Sequence, residues 1–536
     1  MVAPDEKARA RVVALHGAIN VAVCVLVYAI LATVSVSSHR FLHEEGVLAH
    51  TFASIAAEDF WPVAFLLGAR PPLSVLYAPF ASFGLGVFWA AHVGVAAAAI
   101  ALWGGVARAL GHRCALWVGL VVGASPLLVG AGAAGLSGAD AVTGLGLFAW
   151  LLVARRRRFA AFFVLGVLPF VRIELATLVV MVVAWELVHR RFDVMLGVLA
   201  FPVMYGLAGA AYHGELLWML HWPPPLPSFL EQTTLVHSWG ALLAITPVVG
   251  WVCVARWRML SGVERFGVAF VLVFVAGMVL LARMQSPHGA PLPADLLPIL
   301  PVVALVVSRV IDEWTEKGPA PHVIETSILV SLLALALVAE RASGSAAALA
   351  VVAVWAAGVA AARWHRPRAA KAIVLGLLAI GPVVLTEGGQ VERRLRAPHL
   401  DEIVTQLGPH ADVLRDRTLY TNVPLLEILL TRSNALPRTR VHTLVSPDAL
   451  HELTLMTNPD NGQRAALTRA LRVSMSGRPV LPGELDPRAV APGTVFVLMD
   501  EPRLDLLVPP ELRARSTVLS RGPAATISVL EDPHDD

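Results

Sequence analysis

The sequence is poor in charged side chains and in cysteine, and both deficits narrow the class of protein. Only 15% of the 536 residues are Asp, Glu, Lys or Arg, whereas charged residues make up about 25% of a typical soluble domain. The three cysteines, Cys24, Cys114 and Cys253, lie inside or beside apolar runs, and their spacing fits neither a metal site nor a disulfide framework. The low charge excludes an ordinary soluble protein and predicts a membrane protein.

Several sequence signals are also missing. The sequence shows no internal repeat, which argues against an inverted-repeat transporter. No clear small-residue cleavage site follows the first apolar stretch, so we expect that stretch to be an uncleaved anchor. Residues 387–536 contain neither a glycine motif for phosphate nor a nucleophile motif. The basic run Arg155–Arg158 is interpreted as a topology signal, so no nucleic-acid partner is expected.

Long apolar segments make up most of the chain, in which 57% of the residues are hydrophobic. Runs of roughly 17–25 residues match the length that a helix needs to cross a bilayer. Lipid offers the backbone no hydrogen-bond partners, so these segments are predicted to be helices of a polytopic all-α membrane protein. About thirteen transmembrane helices are predicted, at residues 12–36, 85–107, 114–136, 139–154, 159–171, 175–188, 194–212, 239–255, 266–282, 293–308, 324–340, 345–362 and 372–386.

Basic residues near the ends of these segments predict the orientation. Twenty lie on one side, which is therefore the cytoplasmic side, and the other side holds only Arg40, Arg70, Arg172, Arg283 and Arg341. The N-terminus is then cytoplasmic, and an odd number of spans places residues 387–536 outside. The richness in Arg, Ala and Val suggests a GC-rich bacterial genome, so the predicted location is a bacterial inner membrane.

Two domains follow from this pattern. Residues 1–386 form the transmembrane domain, whose first outward loop, 37–84, includes a short apolar stretch, 73–83, that suits an interfacial or re-entrant helix. Residues 387–536 are predicted to be an extracytoplasmic α/β domain. Its strands are expected at 418–421, 441–444, 494–498 and 526–530, and its helices at 447–457, 462–473 and 509–515.

Acidic residues on the outward side are candidates for chemistry. The adjacent Glu44 and Glu45 lie in the first outward loop, where one carboxylate could act as a general base and the other could place a substrate or a metal. The alternative is a pair of solvated loop charges. Asp140 lies at the outward turn between the third and fourth predicted spans, and it could bind substrate or simply cap the fourth helix.

Cations on the outward side are candidate partners for a phosphate, because the guanidinium donors of arginine suit phosphate oxygens. These residues are Arg70, Arg172, Arg283 and His288. Alternatively, Arg172 pairs with Glu174 at the tip of a short hairpin, and Arg283 is a membrane-interface anchor. Three tryptophans could form an aromatic belt or stack on a sugar, and they are Trp218, Trp222 and Trp239.

Taken together, these motifs resemble those of GT-C fold glycosyltransferases, the family that includes protein O-mannosyltransferases and lipid A aminoarabinose transferases. The resemblance covers about residues 10–310 and is carried by Glu44-Glu45-Gly46, Asp59-Phe60-Trp61-Pro62, Gly68-Ala69-Arg70-Pro71-Pro72-Leu73 through Phe83-Gly84, Ser137-Gly138-Ala139-Asp140, Gly166 to Arg172-Ile173-Glu174, and Arg283 with Leu296 to Pro301. Two positions depart from the family pattern, with Glu44 in place of its leading Asp and Met284 in place of its late Tyr.

The resemblance implies an enzyme that takes a sugar from a polyprenyl-phosphate carrier and passes it, with inversion, to an extracytoplasmic protein, lipid or glycan. It implies that Glu44 or Glu45 is the base, that Asp140 helps to place the acceptor or a metal, and that cations hold the donor phosphate. Glu174 joins this candidate substrate-binding set. A divalent metal, Mg²⁺ or Mn²⁺, stays open as a cofactor.

Two other functions stay open at this stage. A transporter or flippase of lipid-linked sugars would place ionisable residues in the middle of the membrane on discontinuous helices. A non-catalytic protein of cell-envelope assembly would tolerate substitution of the acids in the first loop.

Overall fold

A computed structural model describes just over half of the chain. The residues that it describes are 25–26, 28–30, 32, 44–58, 60–65, 70–112, 115–123, 126–221, 257–285, 297–317, 403, 406–414, 417–422, 440–444, 485–499, 508–522 and 525–531. The predicted spans at 239–255, 324–340, 345–362 and 372–386 lie outside these residues, as do the predicted helices at 447–457 and 462–473 and the candidate residue His288.

The first outward loop contains three helices: α1 is Glu44–Glu58, α2 is Phe60–Ala64 and α3 is Pro71–Ala81. Helix α1 begins within the first outward loop, and Glu44 and Glu45 are its first two residues. Acidic residues in a first turn are favoured by the partial positive charge of a helix N-terminus. Helix α3 is 11 residues long, about 16 Å, and thus too short to cross a bilayer core of about 30 Å.

Small and aliphatic residues hold these three helices together. Helix α1 packs against α3, and the buried contact cluster joins Ile55, Ala56, Val63 and Ala78, with Phe52 at its side. Helix α3 begins with Pro71 and Pro72, which have no N–H group to leave unsatisfied in the first turn. The structure therefore gives this loop a packed helical core.

The membrane region is built from helices with short connections. They are α4 (Leu85–Ala109), α5 (Ala115–Gly123), α6 (Pro126–Ala134), α7 (Ser137–Ala149), α8 (Arg158–Val171), α9 (Ala176–Val188), α10 (Asp193–His213), α11 (Trp218–His221), α12 (Gly262–Gln285) and α13 (Leu300–Lys317). A π-helical turn, Trp150–Ala154, extends α7, and a 3-10 turn, Ile173–Leu175, joins α8 to α9. In the part of the chain that the structure describes, four segments are long and apolar enough to cross a membrane: Gly86–Ala109, Ser137–Ala154, Val194–His213 and Gly262–Leu281.

The predicted span 114–136 differs from the structure, which has two helices in this region, α5 and α6. Helix α6 begins at Pro126. Proline lacks the N–H that would continue a preceding helix, and it favours the first position of a new one. The short hairpin predicted at 159–188 is present as α8 and α9, with Arg172 and Glu174 at its tip.

The C-terminal region contains a five-stranded mixed sheet. Its strands are β1 (Thr418–Thr421), β2 (Arg440–Thr443), β3 (Val495–Leu498), β4 (Ser516–Arg521) and β5 (Thr526–Leu530), in the order β2-β1-β3-β5-β4. Strands β1, β2 and β3 run parallel, whereas β5 pairs antiparallel with β3 and β4. Short helices precede β1 and β4: α14 is Ala411–Leu414 and α15 is Pro510–Ala514.

Strand β4 is absent from the sequence prediction. Its residues, Ser-Thr-Val-Leu-Ser-Arg, give no strong apolar alternation because β4 lies at the edge of the sheet, and none of its residues is fully buried. The central strand β3 is buried at all four positions. Burial on both faces produces the continuous apolar run that makes such a strand visible in a sequence.

The chain divides into two compact units. The first contains residues 1–38, 89–208 and 224–392, and the second contains 39–88, 209–223 and 393–536. Asp140, Arg172 and Glu174 therefore belong to the first unit, whereas Glu44, Glu45 and Arg70 belong to the second.

Candidate functional site

Asp140 forms a buried pair with a histidine on a neighbouring helix. The side chain of His92 in α4 places Nε2 3.1 Å from Oδ2 of Asp140, and its Nδ1 lies 2.8 Å from the carbonyl oxygen of Gly132. His92 is 1% exposed and Asp140 is 6% exposed. The imidazole thus bridges the end of α6 and the start of α7.

The contact of His92 with Gly132 fixes the hydrogen of one ring nitrogen. A carbonyl oxygen can only accept, so Nδ1 carries a hydrogen and donates it to Gly132. Nε2 of His92 and Oδ2 of Asp140 lie 3.1 Å apart and share one hydrogen. His92 is therefore hydrogen-bonded through both ring nitrogens.

The turn between α6 and α7 supplies the other half of this arrangement. Helix α6 ends with Gly135 in a left-handed conformation, φ +72°, and Leu136 N–H donates to Ala131 O at 2.9 Å. This is the hydrogen bond of a Schellman C-cap, which needs a residue such as glycine at positive φ. A cation is favoured at a helix C-terminus, and His92 occupies that position beside the last turn of α6.

Asp140 lies in the first turn of α7, but it is not the cap of that helix. The N-cap residue is Leu136, which makes no side-chain capping bond, so the capping alternative from the sequence is wrong. The sequence analysis also missed His92. The available signal was an imidazole inside α4, whose other residues are apolar as far as Arg108 in its last turn, because an ionisable residue inside a membrane segment is costly and needs a partner.

Tyr28 approaches the same cluster from the first predicted span. Its hydroxyl donates to Leu128 O at 3.3 Å, and it interacts electrostatically with Asp140. A Cβ atom at Gly132 would collide with this hydroxyl. Glycine is therefore required at 132 for the phenol of Tyr28 and the α6 backbone to approach each other.

Arg172 and Glu174 form an ion pair at the tip of the hairpin between α8 and α9. The Nε atom of Arg172 donates to Oε1 of Glu174, and the two residues are 6% and 7% exposed. The pairing considered in the sequence analysis is thus present. A guanidinium has five N–H donors, so this ion pair is compatible with a further contact to a phosphate.

The carboxylates of the first loop begin helix α1, and the same helix holds an unexpected histidine. Glu44 and Glu45 open α1. His50 lies further along it, with its ring edge against Phe88 at a centroid distance of 5.1 Å. Among the residues that the structure describes, neither ring nitrogen of His50 has a hydrogen-bond partner. Burial lowers the pKa of His50 to about 4, so this imidazole is neutral at physiological pH.

Arg70 has a strained backbone. It precedes Pro71 and adopts φ +50°, ψ +67°, the left-handed region that residues other than glycine rarely occupy. Its carbonyl accepts the first hydrogen bonds of α3, from Leu73 N–H at 2.9 Å and Ser74 N–H at 3.2 Å. Such strain costs about 1–3 kcal/mol and concentrates at binding and switch regions. The left-handed backbone is therefore a second reason, besides its charge, to consider Arg70 a candidate binding residue.

Trp218 does not fit either role considered for it in the sequence analysis. It is fully buried and stacks on His213 with a centroid distance of 4.8 Å, while Phe65 packs edge-on at 6.1 Å. A fully buried indole can neither contact lipid headgroups nor stack on a sugar. Trp222 and Trp239 lie outside the described residues. Trp61, in α2 of the first outward loop, is 58% exposed, and such an exposed tryptophan suits a membrane interface.

A second buried polar cluster joins α4, α12 and α13. Glu264 Oε1 lies 2.9 Å from His112 Nε2 and accepts from Arg309 Nε at 3.0 Å. His112 Nδ1 also lies 3.1 Å from Ser308 Oγ. His112 follows the C-terminal end of α4, and His92 lies 17 residues before that end at Ala109. At 1.5 Å per residue this is about 26 Å, so the two clusters are far apart along α4.

The remaining candidate residues have less structural support. Arg283 is within the last turn of α12. Within the described ranges, no group of three or more His, Cys, Asp or Glu side chains is placed to hold a metal ion.

Comparison with known proteins identifies the fold. No family model and no curated protein sequence matches the chain. Two solved structures match: ArnT from Cupriavidus metallidurans bound to undecaprenyl phosphate, and the same enzyme in the apo state. The first is 15% identical, with 96% of this chain and 99% of that chain covered and a TM-score of 0.58. The second is 15% identical, with 95% and 99% covered and a TM-score of 0.53. The likeness shows the GT-C fold of ArnT, a lipid A aminoarabinose transferase, and confirms the fold predicted from the resemblance.

Proposed function

From the fold shared with ArnT, we propose that this protein is a glycosyltransferase of the bacterial inner membrane that uses a polyprenyl-phosphate sugar donor. The observation that carries the proposal is the match over 96% of the chain to a structure bound to undecaprenyl phosphate. The acceptor lies outside the cytoplasm and is a protein, a lipid or a glycan. Residues 387–536 form the extracytoplasmic domain in this scheme.

The reaction needs only one base and some positive charge. The acceptor oxygen or nitrogen attacks the anomeric carbon on the face opposite the phosphate, and the bond between that carbon and the phosphate oxygen breaks with inversion. The acceptor loses its proton to Glu44 or Glu45, which acts as general base. The phosphate leaves as an anion and needs no general acid, so cations that stabilise its charge lower the barrier.

Arginines on the outward side are proposed to hold the donor phosphate. Arg70 begins α3, Arg172 lies at the hairpin tip and Arg283 lies near the end of α12; His288 completes this set. The ion pair with Glu174 fixes the orientation of the Arg172 guanidinium, and a fixed guanidinium loses less entropy when it binds an oxyanion. Glu174 therefore contributes to donor binding by orienting Arg172.

Asp140 is proposed to bind a hydrogen-bond donor on the acceptor substrate or on the sugar. A carboxylate only accepts hydrogen bonds, so the group that it recognises is a hydroxyl or an amine. Its position in the first turn of α7 places it at a helix end. Glu264, in the second cluster, also lies in the first turn of its helix. Charged residues at helix ends favour an enzyme at the membrane interface over a transporter with ionisable residues at mid-membrane.

The test is transfer by the purified full-length protein in lipid nanodiscs. The protein is incubated with radiolabelled polyprenyl-phosphate sugars and membrane acceptors, and the label is followed into lipid, protein and glycan fractions. Transfer is expected for the wild type and for Glu215→Gln, a matched control at an exposed glutamate of the loop after α10. Transfer should be lost in one of two variants, Glu44→Gln or Glu45→Gln. The inactive variant is the one in which the general base has been replaced.

Three outcomes would contradict the proposal. Movement of the labelled lipid across the bilayer without transfer would identify a flippase. Absence of both transfer and movement would favour an assembly protein. Full activity in both the Glu44 and the Glu45 variant would exclude these residues as the base.

A further inference from the structure

We propose that His92 is a positioning residue that holds the carboxyl group of Asp140 in the orientation its substrate requires. The inference rests on the proposed function and deepens it, because it assigns a role to a residue that the resemblance did not include. The role depends on two contacts that point in different directions: one to the backbone of α6 and one to the carboxylate of Asp140.

The end of α6 holds the His92 ring in place. Its Nδ1–H donates to the carbonyl of Gly132, which is among the last four carbonyls of α6 and has no N–H partner within that helix. The carboxyl group of Asp140 lies on the other side of the ring. The two contacts together fix the plane of the imidazole.

The imidazole at this position orients Asp140. Its Nε2 engages one defined carboxylate oxygen, Oδ2, at 3.1 Å in a site where both residues are buried. Tyr28, the other titratable side chain known to interact with Asp140, donates its hydroxyl hydrogen to Leu128. The imidazole thus sets the plane in which Asp140 can accept from a substrate hydroxyl or amine.

Two isosteric variants separate positioning from a purely structural role. The amide nitrogen of glutamine reaches the place of Nε2, so His92→Gln keeps a donor to Asp140 and loses the bond to Gly132. The amide nitrogen of asparagine reaches the place of Nδ1, so His92→Asn keeps the bond to the end of α6 and loses Asp140. His189→Asn serves as a control for an exposed histidine.

The experiment measures kcat and KM for both substrates, together with thermal unfolding, in nanodiscs. In His92→Asn we expect KM for the substrate that Asp140 binds to rise about tenfold or more, the effect of losing one hydrogen bond to a charged group, while kcat changes much less. In His92→Gln we expect KM to stay well below that of His92→Asn. In an Asp140→Asn background, His92→Asn should add no further loss, because the partner is already neutral.

The outcomes distinguish this inference from the proposed function. If the wild type transfers no sugar, both proposals fall. If the wild type is active but the two His92 variants are equally impaired and equally unstable, His92 only caps α6 and this inference falls alone. The same holds if His92→Asn is the more active of the two, or if the effects of His92→Asn and Asp140→Asn are additive.

Discussion

Arg309 in α13 and Glu264 in α12 form an ion pair, with Nε 3.0 Å from Oε1, and Arg309 also donates from Nη2 to the backbone carbonyl of Leu110 at 2.8 Å. The pair ties two helices to the loop after α4. Glu264 has in addition a reciprocal capping contact at the start of α12. Its Oε2 accepts from Ser261 N–H at 2.7 Å, and its own N–H donates to Ser261 Oγ at 3.3 Å.

Replacement of Glu264 by glutamine is expected to destabilise the protein strongly. The carboxylate is fully buried and is shared by His112 and Arg309, so its loss leaves the Arg309 guanidinium without its charged acceptor. Breaking a buried pair in this way costs about 3–5 kcal/mol. Thermal unfolding in nanodiscs measures the loss, and Glu186→Gln is the matched control.

Glu186 pairs with Arg158 at 3.2 Å and Arg191 at 3.7 Å, but these arginines are largely exposed. Exposed pairs contribute about 0–1 kcal/mol. If the Glu264→Gln variant unfolds at the same temperature as Glu186→Gln, the buried cluster does not contribute the expected stability.

Substitutions of Arg70 should separate the effect of its backbone strain on stability from the role of its guanidinium in sugar transfer. Arg70→Ala keeps a side chain at positive φ, whereas Arg70→Gly removes the steric penalty, which is about 1–2 kcal/mol for a non-glycine residue. We expect the glycine variant to unfold at a higher temperature than the alanine variant. Both should lose sugar transfer, and Arg70→Lys should retain part of it, because a lysine keeps the charge but not the forked donors.

If Arg70→Ala and Arg70→Gly transfer sugar as the wild type does, the guanidinium does not bind the donor phosphate. If the alanine variant is the more stable of the two, the left-handed backbone at Arg70 imposes no strain.

Acidification should destabilise the protein through His50. Burial lowers the pKa of His50 from 6.5 to about 4, so the unfolded chain binds a proton more readily than the folded protein between these values. The stabilisation is fully present above pH 6.5 and is lost as the pH falls toward 4. Replacement of His50 by leucine removes this loss.

Thermal unfolding of the wild type and of His50→Leu, measured from pH 7.5 to pH 4.5, tests this expectation. The two proteins should diverge below about pH 6.5, the ordinary pKa of histidine, with the wild type losing stability more steeply. Parallel curves over the whole range would show that His50 does not titrate differently in the folded state.

The orientation of the first outward loop can be tested by thiol labelling. A cysteine at His43 should react with a membrane-impermeant reagent added to intact spheroplasts, because the distribution of basic residues predicts that this loop lies outside. A cysteine at Arg156, in the basic run that is predicted to be cytoplasmic, is the matched control and should react only after permeabilisation. Labelling requires a background without Cys24, Cys114 and Cys253. Reaction of the first cysteine only after permeabilisation would exclude an outward-facing active site.

The helices and most strands of the described regions could be predicted because their patterns are local. The apolar runs that gave α4, α10 and α12 need no knowledge of neighbours, since lipid requires the same composition around a whole helix. The four predicted strands of the C-terminal region are all present, whereas β4, a polar edge strand, is not visible in the sequence. The break at Pro126 carried a sequence signal, but the continuous apolar composition around it hid the end of α5.

The candidate site was predictable only in part, because its contacts join distant residues. Glu44, Glu45, Arg70 and Asp140 stand out as charges beside apolar segments. Nothing local indicates that His92 meets Asp140, 48 positions later, or that Trp218 is buried by Phe65 and not exposed to lipid.

The sequence by itself determined that this is a membrane protein of helices with charges gathered at the span ends, since transfer free energies depend on composition and length alone. Only the tertiary structure decided which charges pair, how α6 turns into α7 at Gly135, and which two oxygens His92 contacts. Those outcomes depend on distances of about 3 Å between groups far apart in the chain, and such distances are fixed by packing and not by local preference.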